Sequence, residues 1–229
     1  MDALARSIAK AAQLPAGSLT AVYEETEAGC LRRLREKDAA LLLATLPFYL
    51  AHEQELGLAP RLSAMPQGGE ALQRWTLVTG KDHPASLKGY TVQSSAGYSK
   101  RFVRAVAPKL PAQVEIQPAD AILSGLRRAA SGEKVALLLD GSEAAAMGTL
   151  PFAASLAPVE TSPPVPVAVI ATVAKRMDGQ RWEELQAVFI RLAEDRAARD
   201  ALDGVRMAGF LPLDEKALGA ARAAYRRAR

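Results

Sequence analysis

The sequence predicts an α/β protein with mostly parallel sheets and flanking helices, on three observations. Short apolar runs of strand length alternate with amphipathic stretches of helical spacing along all 229 residues. Several of those runs, AALLLATL at 39–46 and VALLLD at 135–140, are continuously apolar, as strands buried on both faces are. The alternation also restarts after Gly80, through the charged connector KDHPASLKG, which indicates a second domain.

In order, Leu4, Ile8 and Ala11 or Ala12 form one apolar stripe that stops near Pro15, and residues 19–23 read as a strand. Leu31 and Leu34, with Arg32, Arg33 and Arg35 between and beside them, predict a second helix ahead of the 39–46 strand. A helix follows Pro47, and residues 60–66 and 75–79 are strands separated by the QGGE turn. The second half brings a strand at 90–93, a helix through Phe102, Val103 and Val106, a strand at 114–116 and a helix over 119–130. Then come the 135–140 strand, a helix over 142–147, the stiff SPPVP connector at 162–166 and the strand VAVIATV. Two long helices, 181–202 and 214–227, close the chain.

Composition excludes several function classes. Hydrophobic residues make up 49% and charged ones 24%, a globular balance rather than a disordered one. The 29 Lys and Arg are interleaved with 25 Asp and Glu, so the net charge of +4 leaves only the stretch 222–229 distinctly basic, which reads as a solvated helix end and not a nucleic-acid surface. No apolar run approaches the length of a membrane-spanning helix, which limits membrane association to the periphery. One cysteine, Cys30, and two histidines, His52 and His83, offer no metal-ligand spacing and no cofactor motif; Cys30 reads as a packing residue and the histidines as surface or helix-cap residues. A P-loop fails because Tyr98 follows Gly97, and a serine hydrolase fails because no histidine follows His83. No catalytic residue is assigned, and the sequence reads as a non-enzyme.

Two local features carry binding chemistry. The 90–93 strand passes within four residues, through Ser94, Ser95 and Gly97, into a helix, which gathers N–H and hydroxyl donors at a positive helix end where an anion can sit. Asp140 stands at the C-terminal end of a buried strand, where open α/β sheets bind ligands. Either feature serves equally well as a plain helix cap.

The segments DAALLLATLPFYLAHE at 38–53, LKGYTVQSSAGYS at 87–99, VALLLDGSEAAAM at 135–147 and SPPVPVAVIATVAKRM at 162–177, followed by GFLPLDE at 209–215, resemble in their order the substrate-binding proteins of phosphate, phosphite and phosphonate ABC transporters, a branch of the type II periplasmic binding proteins. The resemblance implies a two-lobe fold with a ligand cleft between the lobes, lobe 1 from residues 1–79 with 162–229 and lobe 2 from 80–161, with crossings near 79–81 and 161–163. It implies capture of a small oxyanion, an ABC permease as partner, and a periplasmic or cell-envelope location with the signal segment outside this sequence, or a cytoplasmic one if Met1 is the true start. Ser94, Ser95 and Gly97 map onto the family's oxyanion-donating turn, Asp140 onto the acid that receives a protonated oxygen or an amine, and Tyr49, or Thr45 beside it, onto the first-lobe ligand loop, with Tyr23 at the end of the preceding strand as a further ligand-binding candidate. The sequence departs from the family in lacking its opening strand, in the reduced turn SSAG, and in Trp75 where a small polar residue is usual. The same fold also serves cytoplasmic enzymes and ligand-sensing domains, which stand as the alternative reading.

Overall fold

The computed structural model describes residues 1–119 and 121–228. In chain order the elements are α1 (Asp2–Ala11), α2 (Glu27–Arg35), β1 (Leu41–Thr45), α3 (Leu46–His52), β2 (Leu58–Pro66), β3 (Leu72–Gln73), β4 (Thr76–Gly80) and β5 (Thr91–Ser94). They continue as α4 (Lys100–Val106), β6 (Glu115–Pro118), α5 (Ile122–Ala130), β7 (Val135–Leu139), α6 (Gly141–Met147), β8 (Leu156–Thr161), β9 (Val165–Pro166), β10 (Ala168–Val173), α7 (Gly179–Arg191), α8 (Arg196–Asp203), β11 (Met207–Pro212) and α9 (Glu215–Arg227). No described helix is long and apolar enough to cross a membrane.

The chain divides into two compact units, Met1–Leu72 with Pro166–Glu215, and Gln73–Val165 with Lys216–Arg229. The expected crossings near 79–81 and 161–163 are displaced by several residues. β4 pairs with both β7 and β8, so it belongs to the second unit. A Cβ at Gly80 would lie 2.6 Å from the Ala129 carbonyl oxygen, so the glycine permits close packing of β4 under α5. Most of α9 also belongs to the second unit. Arg101 holds its end by donating to the carbonyls of Tyr225 (2.8 Å), Arg226 (2.9 Å) and Ala228 (3.1 Å), which satisfies acceptors that a helix C-terminus otherwise leaves unpaired.

The first unit's sheet has the order β1-β10-β2-β11, and every neighbouring pair is antiparallel. The expectation of mostly parallel strands therefore fails here. Parallel neighbours need a crossover connection, whereas β10 enters directly from the second unit and slots between β1 and β2 against their direction. β1 is an edge strand with Leu41, Leu42 and Leu43 half-buried, not the fully buried strand that its composition suggests. Residues 19–23 form no strand. The core joins Leu4 and Ile8 of α1, Leu62 of β2, Ile170 of β10, Trp182, Leu185 and Phe189 of α7, Leu202 of α8 and Phe210 of β11.

The stretch read as one helix over 181–202 is two, broken where Asp195 accepts a hydrogen bond from Ala198 N–H (3.1 Å) and caps α8. α2 is fastened by polar contacts at both ends. His52 Nε2 lies 2.7 Å from Glu27 Oε1, and the Arg176 guanidinium donates to the carbonyls of Leu34, Glu36 and Ala39. His52 is thus a largely buried link between α3 and α2, not a surface residue. Cys30 in α2 is partly buried, and that burial, reinforced by Glu24, pushes its thiol pKa up.

In the second unit the sheet order is β6-β5-β7-β4-β8. β6, β5 and β7 are parallel, while β4 runs antiparallel to β7 and β8. All five residues of β7 are buried. On one face Val135, Leu137 and Leu139 pack with Val78 and Leu156 beneath Leu126 and Ala129 of α5. Leu137→Ala should cost about 2–5 kcal/mol of stability, through lost transfer energy plus the cavity left behind. Leu123→Ala on the exposed side of α5 should stay within about 0.5 kcal/mol, and urea denaturation of the two variants measures the contrast.

Candidate functional site

The parallel pairing of β5 with β7 sets the C-terminal ends of both strands at one edge of the second unit's sheet, and the antiparallel β4 brings its first residues to the same edge. Three of the residues expected to bind ligand, Ser94, Ser95 and Asp140, therefore come together with Trp75. Each of them is engaged within the protein to a different degree.

Ser94 is fully buried. Its hydroxyl donates to the Leu138 carbonyl (2.8 Å) and accepts from Ala96 N–H (3.2 Å), which fastens the end of β5 to β7. That takes Ser94 out of the solvent-reachable set. The expected direct passage into a helix is replaced by a turn over residues 95–98, with α4 starting at Lys100. Gly97 N–H donates to the Ser94 carbonyl (2.9 Å), so it is used inside the turn. A Cβ on Gly97 would lie 2.1 Å from the Gln117 carbonyl oxygen, which explains glycine by close approach of the turn to β6.

Ser95 is exposed, and its hydroxyl hydrogen-bonds the Glu143 carboxylate. Asp140 is the N-cap of α6. Its carboxylate accepts from Glu143 N–H (2.8 Å) and from the Ser142 hydroxyl (2.8 Å), while Glu143 reaches back to accept from Asp140 N–H (2.8 Å). Gln73 Oε1 takes Gly141 N–H at 3.0 Å. The capping role of Asp140 is thus realised, and the carboxyl that faces the serine turn is that of Glu143. Desolvation raises the Glu143 pKa most, the Asp140 charge adds to it, and hydrogen bonds from Asp140 N–H and the Ser95 hydroxyl oppose the rise. The spacing Asp140-x-x-Glu143 is a capping-box signature, the signal that could have found Glu143 from sequence.

Trp75 is buried with its ring edge-on to Phe102 at 5.1 Å. Its backbone N–H donates to the Ser162 hydroxyl (2.9 Å), whereas its indole Nε1–H has no hydrogen-bond partner among the described residues. In the first unit, Thr45 is exposed at the N-cap position of α3 and makes no side-chain capping bond, Tyr49 is fully buried within α3, and Tyr23 is 69% exposed. Among the described residues no group of three or more His, Cys, Asp or Glu is arranged to hold a metal ion.

No family model matches the sequence, and no curated protein matches it. Solved structures do. XAC2383 from Xanthomonas citri, in a structure bound to ATP, superposes with a TM-score of 0.77 at 19% identity, covering 98% of this chain and 92% of that one. The binding protein component of an ABC phosphonate transporter from Pseudomonas aeruginosa gives 0.65 at 12% identity over 97% and 78% of the two chains. PhnD1 from Prochlorococcus marinus, in complex with methylphosphonate, gives 0.57 at 10% identity over 98% and 90%. The fold is that of the two-lobe periplasmic binding proteins. At these identities the likeness establishes the fold alone.

Glu143 supplies a pH-dependent test of this geometry. Because its folded pKa is raised, the folded state binds a proton more readily than the unfolded one. Its contribution to stability is therefore full below the ordinary glutamate range and is lost as pH rises through the raised pKa. Glu143→Gln retains the reach to Asp140 N–H and removes the titration. Denaturant unfolding at pH 4 to 8 should show wild type losing stability with rising pH relative to Glu143→Gln; parallel curves would contradict the burial of this carboxyl.

Proposed function

We propose that this protein is a solute-binding protein that captures a small oxyanion, of the phosphonate, phosphite or phosphate type, and delivers it to an ABC permease in the cell envelope. The observation that carries the reading is the near-complete coverage of the chain by binding proteins, one of them in complex with methylphosphonate, combined with a sheet edge that presents hydroxyls and a carboxyl whose pKa is raised by burial. In this account Ser95 is the primary hydroxyl donor. Glu143, protonated, donates to an anion oxygen, and Asp140 fixes the start of α6 that carries Glu143. Ser94 and Gly97 act by holding the turn in shape. Thr45 and Tyr23 are the first unit's solvent-reachable candidates, whereas Tyr49 is fully buried within α3.

The absence of a nucleophile and base pair among the candidates favours binding without turnover. A second reading, a phosphorylated nucleotide as ligand, is favoured by the ATP-bound structure of the Xanthomonas citri protein. Both readings share phosphoryl oxygens as the recognised group.

Calorimetry against phosphate, phosphite, methylphosphonate, aminoethylphosphonate and ATP separates them. One of the four small oxyanions should bind and be recovered unchanged by phosphorus NMR. Ser95→Ala should lower its affinity about tenfold or more, since a hydrogen bond to a charged group contributes roughly 1.5–3 kcal/mol. Affinity should also rise as pH falls, and Glu143→Gln should flatten that dependence. Failure of all five to bind, or chemical conversion of a bound one, would overturn the proposal; ATP alone binding would move it to the nucleotide reading.

A further inference from the structure

Charge is unevenly spread along the chain. Residues 95–114 and 216–228 carry eight Lys and Arg and no Asp or Glu, in a protein of net charge +4, so the rest of the chain is net negative. Both stretches belong to the second unit, and the fold joins them. Arg101 of α4 donates to the carbonyls of Tyr225, Arg226 and Ala228, and its guanidinium lies 4.8 Å from the centre of the Tyr225 ring. Lys100 and Arg101 are thereby set beside Arg226 and Arg227, with Arg104 one turn further along α4. Among the described residues none of Lys100, Arg101, Arg104, Lys216, Arg226 and Arg227 forms an ion pair with a carboxylate. Carboxylates border the patch: Glu115 begins β6, and Glu160 accepts from Lys109 N–H (3.2 Å).

A cation at a helix C-terminus is ordinarily explained by the helix dipole. Here Arg101 takes that role at the end of α9, so Arg226 and Arg227 add like charge beside a cation already in place. Like charges crowded together are destabilising unless an anion approaches them. The outward face of α9 indicates which kind of anion. Lys216, Gly219, Ala220, Arg226 and Arg227 are exposed and Ala223 is half-buried, while Leu218 and Ala221 are turned inward. That face holds cations on long stems above glycine and alanine. It has no aromatic or large apolar side chain to anchor a protein partner, and no amide or hydroxyl to read a base. A flat array of anionic headgroups requires neither.

We infer that this basic face of the second unit, formed by Lys100, Arg101, Lys216, Arg226 and Arg227, docks on a bilayer surface rich in anionic phospholipid. The attachment is peripheral and electrostatic, with cations at the headgroups and no side chain inserted. The inference rests on the proposed function for its setting, since a cell-envelope location brings such a surface within reach. Vesicle binding and oxyanion capture are separate measurements, so failure of one is distinguishable from failure of the other.

Flotation of the full chain with phosphatidylcholine vesicles containing about a quarter phosphatidylglycerol tests the inference, with pure phosphatidylcholine as the neutral control. Binding should be about tenfold or more tighter to the anionic vesicles and should fall by about as much when salt rises from about 0.05 to about 0.5 M, because the attraction is screened. Arg226→Gln with Arg227→Gln should weaken it about tenfold or more, since each basic residue near the surface contributes roughly fivefold. Lys10→Gln with Lys37→Gln, an equal loss of charge at exposed positions of the first unit, should leave it within about twofold. Thermal melting of both pairs verifies that they fold. No preference for anionic vesicles, or an equal loss from the two pairs, would overturn the inference. Tighter binding to polyglutamate or to a DNA duplex than to the vesicles at the same salt would overturn the lipid and assign the face to an acidic protein or a nucleic acid.

Discussion

The constraint on which the candidate site rests is the complete burial of β7. Each of its five residues is enclosed, so the strand has no freedom to slip: a shift of one residue would exchange Val135, Leu137 and Leu139 for Ala136 and Leu138 on the face beneath α5. A fixed register fixes its neighbours. β5 runs alongside in parallel and β4 against it, and the Ser94 hydroxyl spans from β5 to Leu138. The serine turn, the Asp140–Glu143 cap and Trp75 share one sheet edge because of that pairing. Chemistry at this edge follows from a core that is not itself part of the site.

The two units solve sheet burial differently. In the second, parallel strands joined through α4 and α5 place polar turns at one end, the arrangement from which α/β proteins draw binding sites. In the first, β10 comes without a crossover helix and makes the sheet antiparallel throughout, and β1 is left at the edge. An edge strand that carries three leucines and neither charge nor proline is a template for further pairing. The polar fastening of α2 by His52 and Arg176 ties the chain ahead of β1 to α3 and to the segment that follows β10.

Much of this was legible in the sequence. Strand-length apolar runs located β1, β2, β4, β5, β6, β7 and β10, because their boundaries coincide with turn residues, whereas β3, β8, β9 and β11 carry no such run and were not read as strands. Residues 19–23 show the limit: alternation reports which side chains face the core, but a strand also needs a neighbour, which sequence does not reveal. The same holds for β1, whose apolar composition implied burial while its position in the sheet left it half-exposed. Ser94 was correctly placed at a strand end, yet a shift of one residue separates a hydroxyl locked into the sheet from the exposed one of Ser95. Asp140 was found and its capping role is visible in the structure, whereas Glu143, signalled by the capping-box spacing, was passed over. The partnerless indole N–H of Trp75 left no mark in the sequence at all.

Mapping the binding surface by amide chemical shifts tests the central claim most directly. On titration with methylphosphonate, the account predicts that the largest shifts fall on residues 95–98 and 141–143, with Leu123 and other remote surface positions unmoved. Shifts concentrated in the first unit alone, or absent from both turns at saturation, would contradict it.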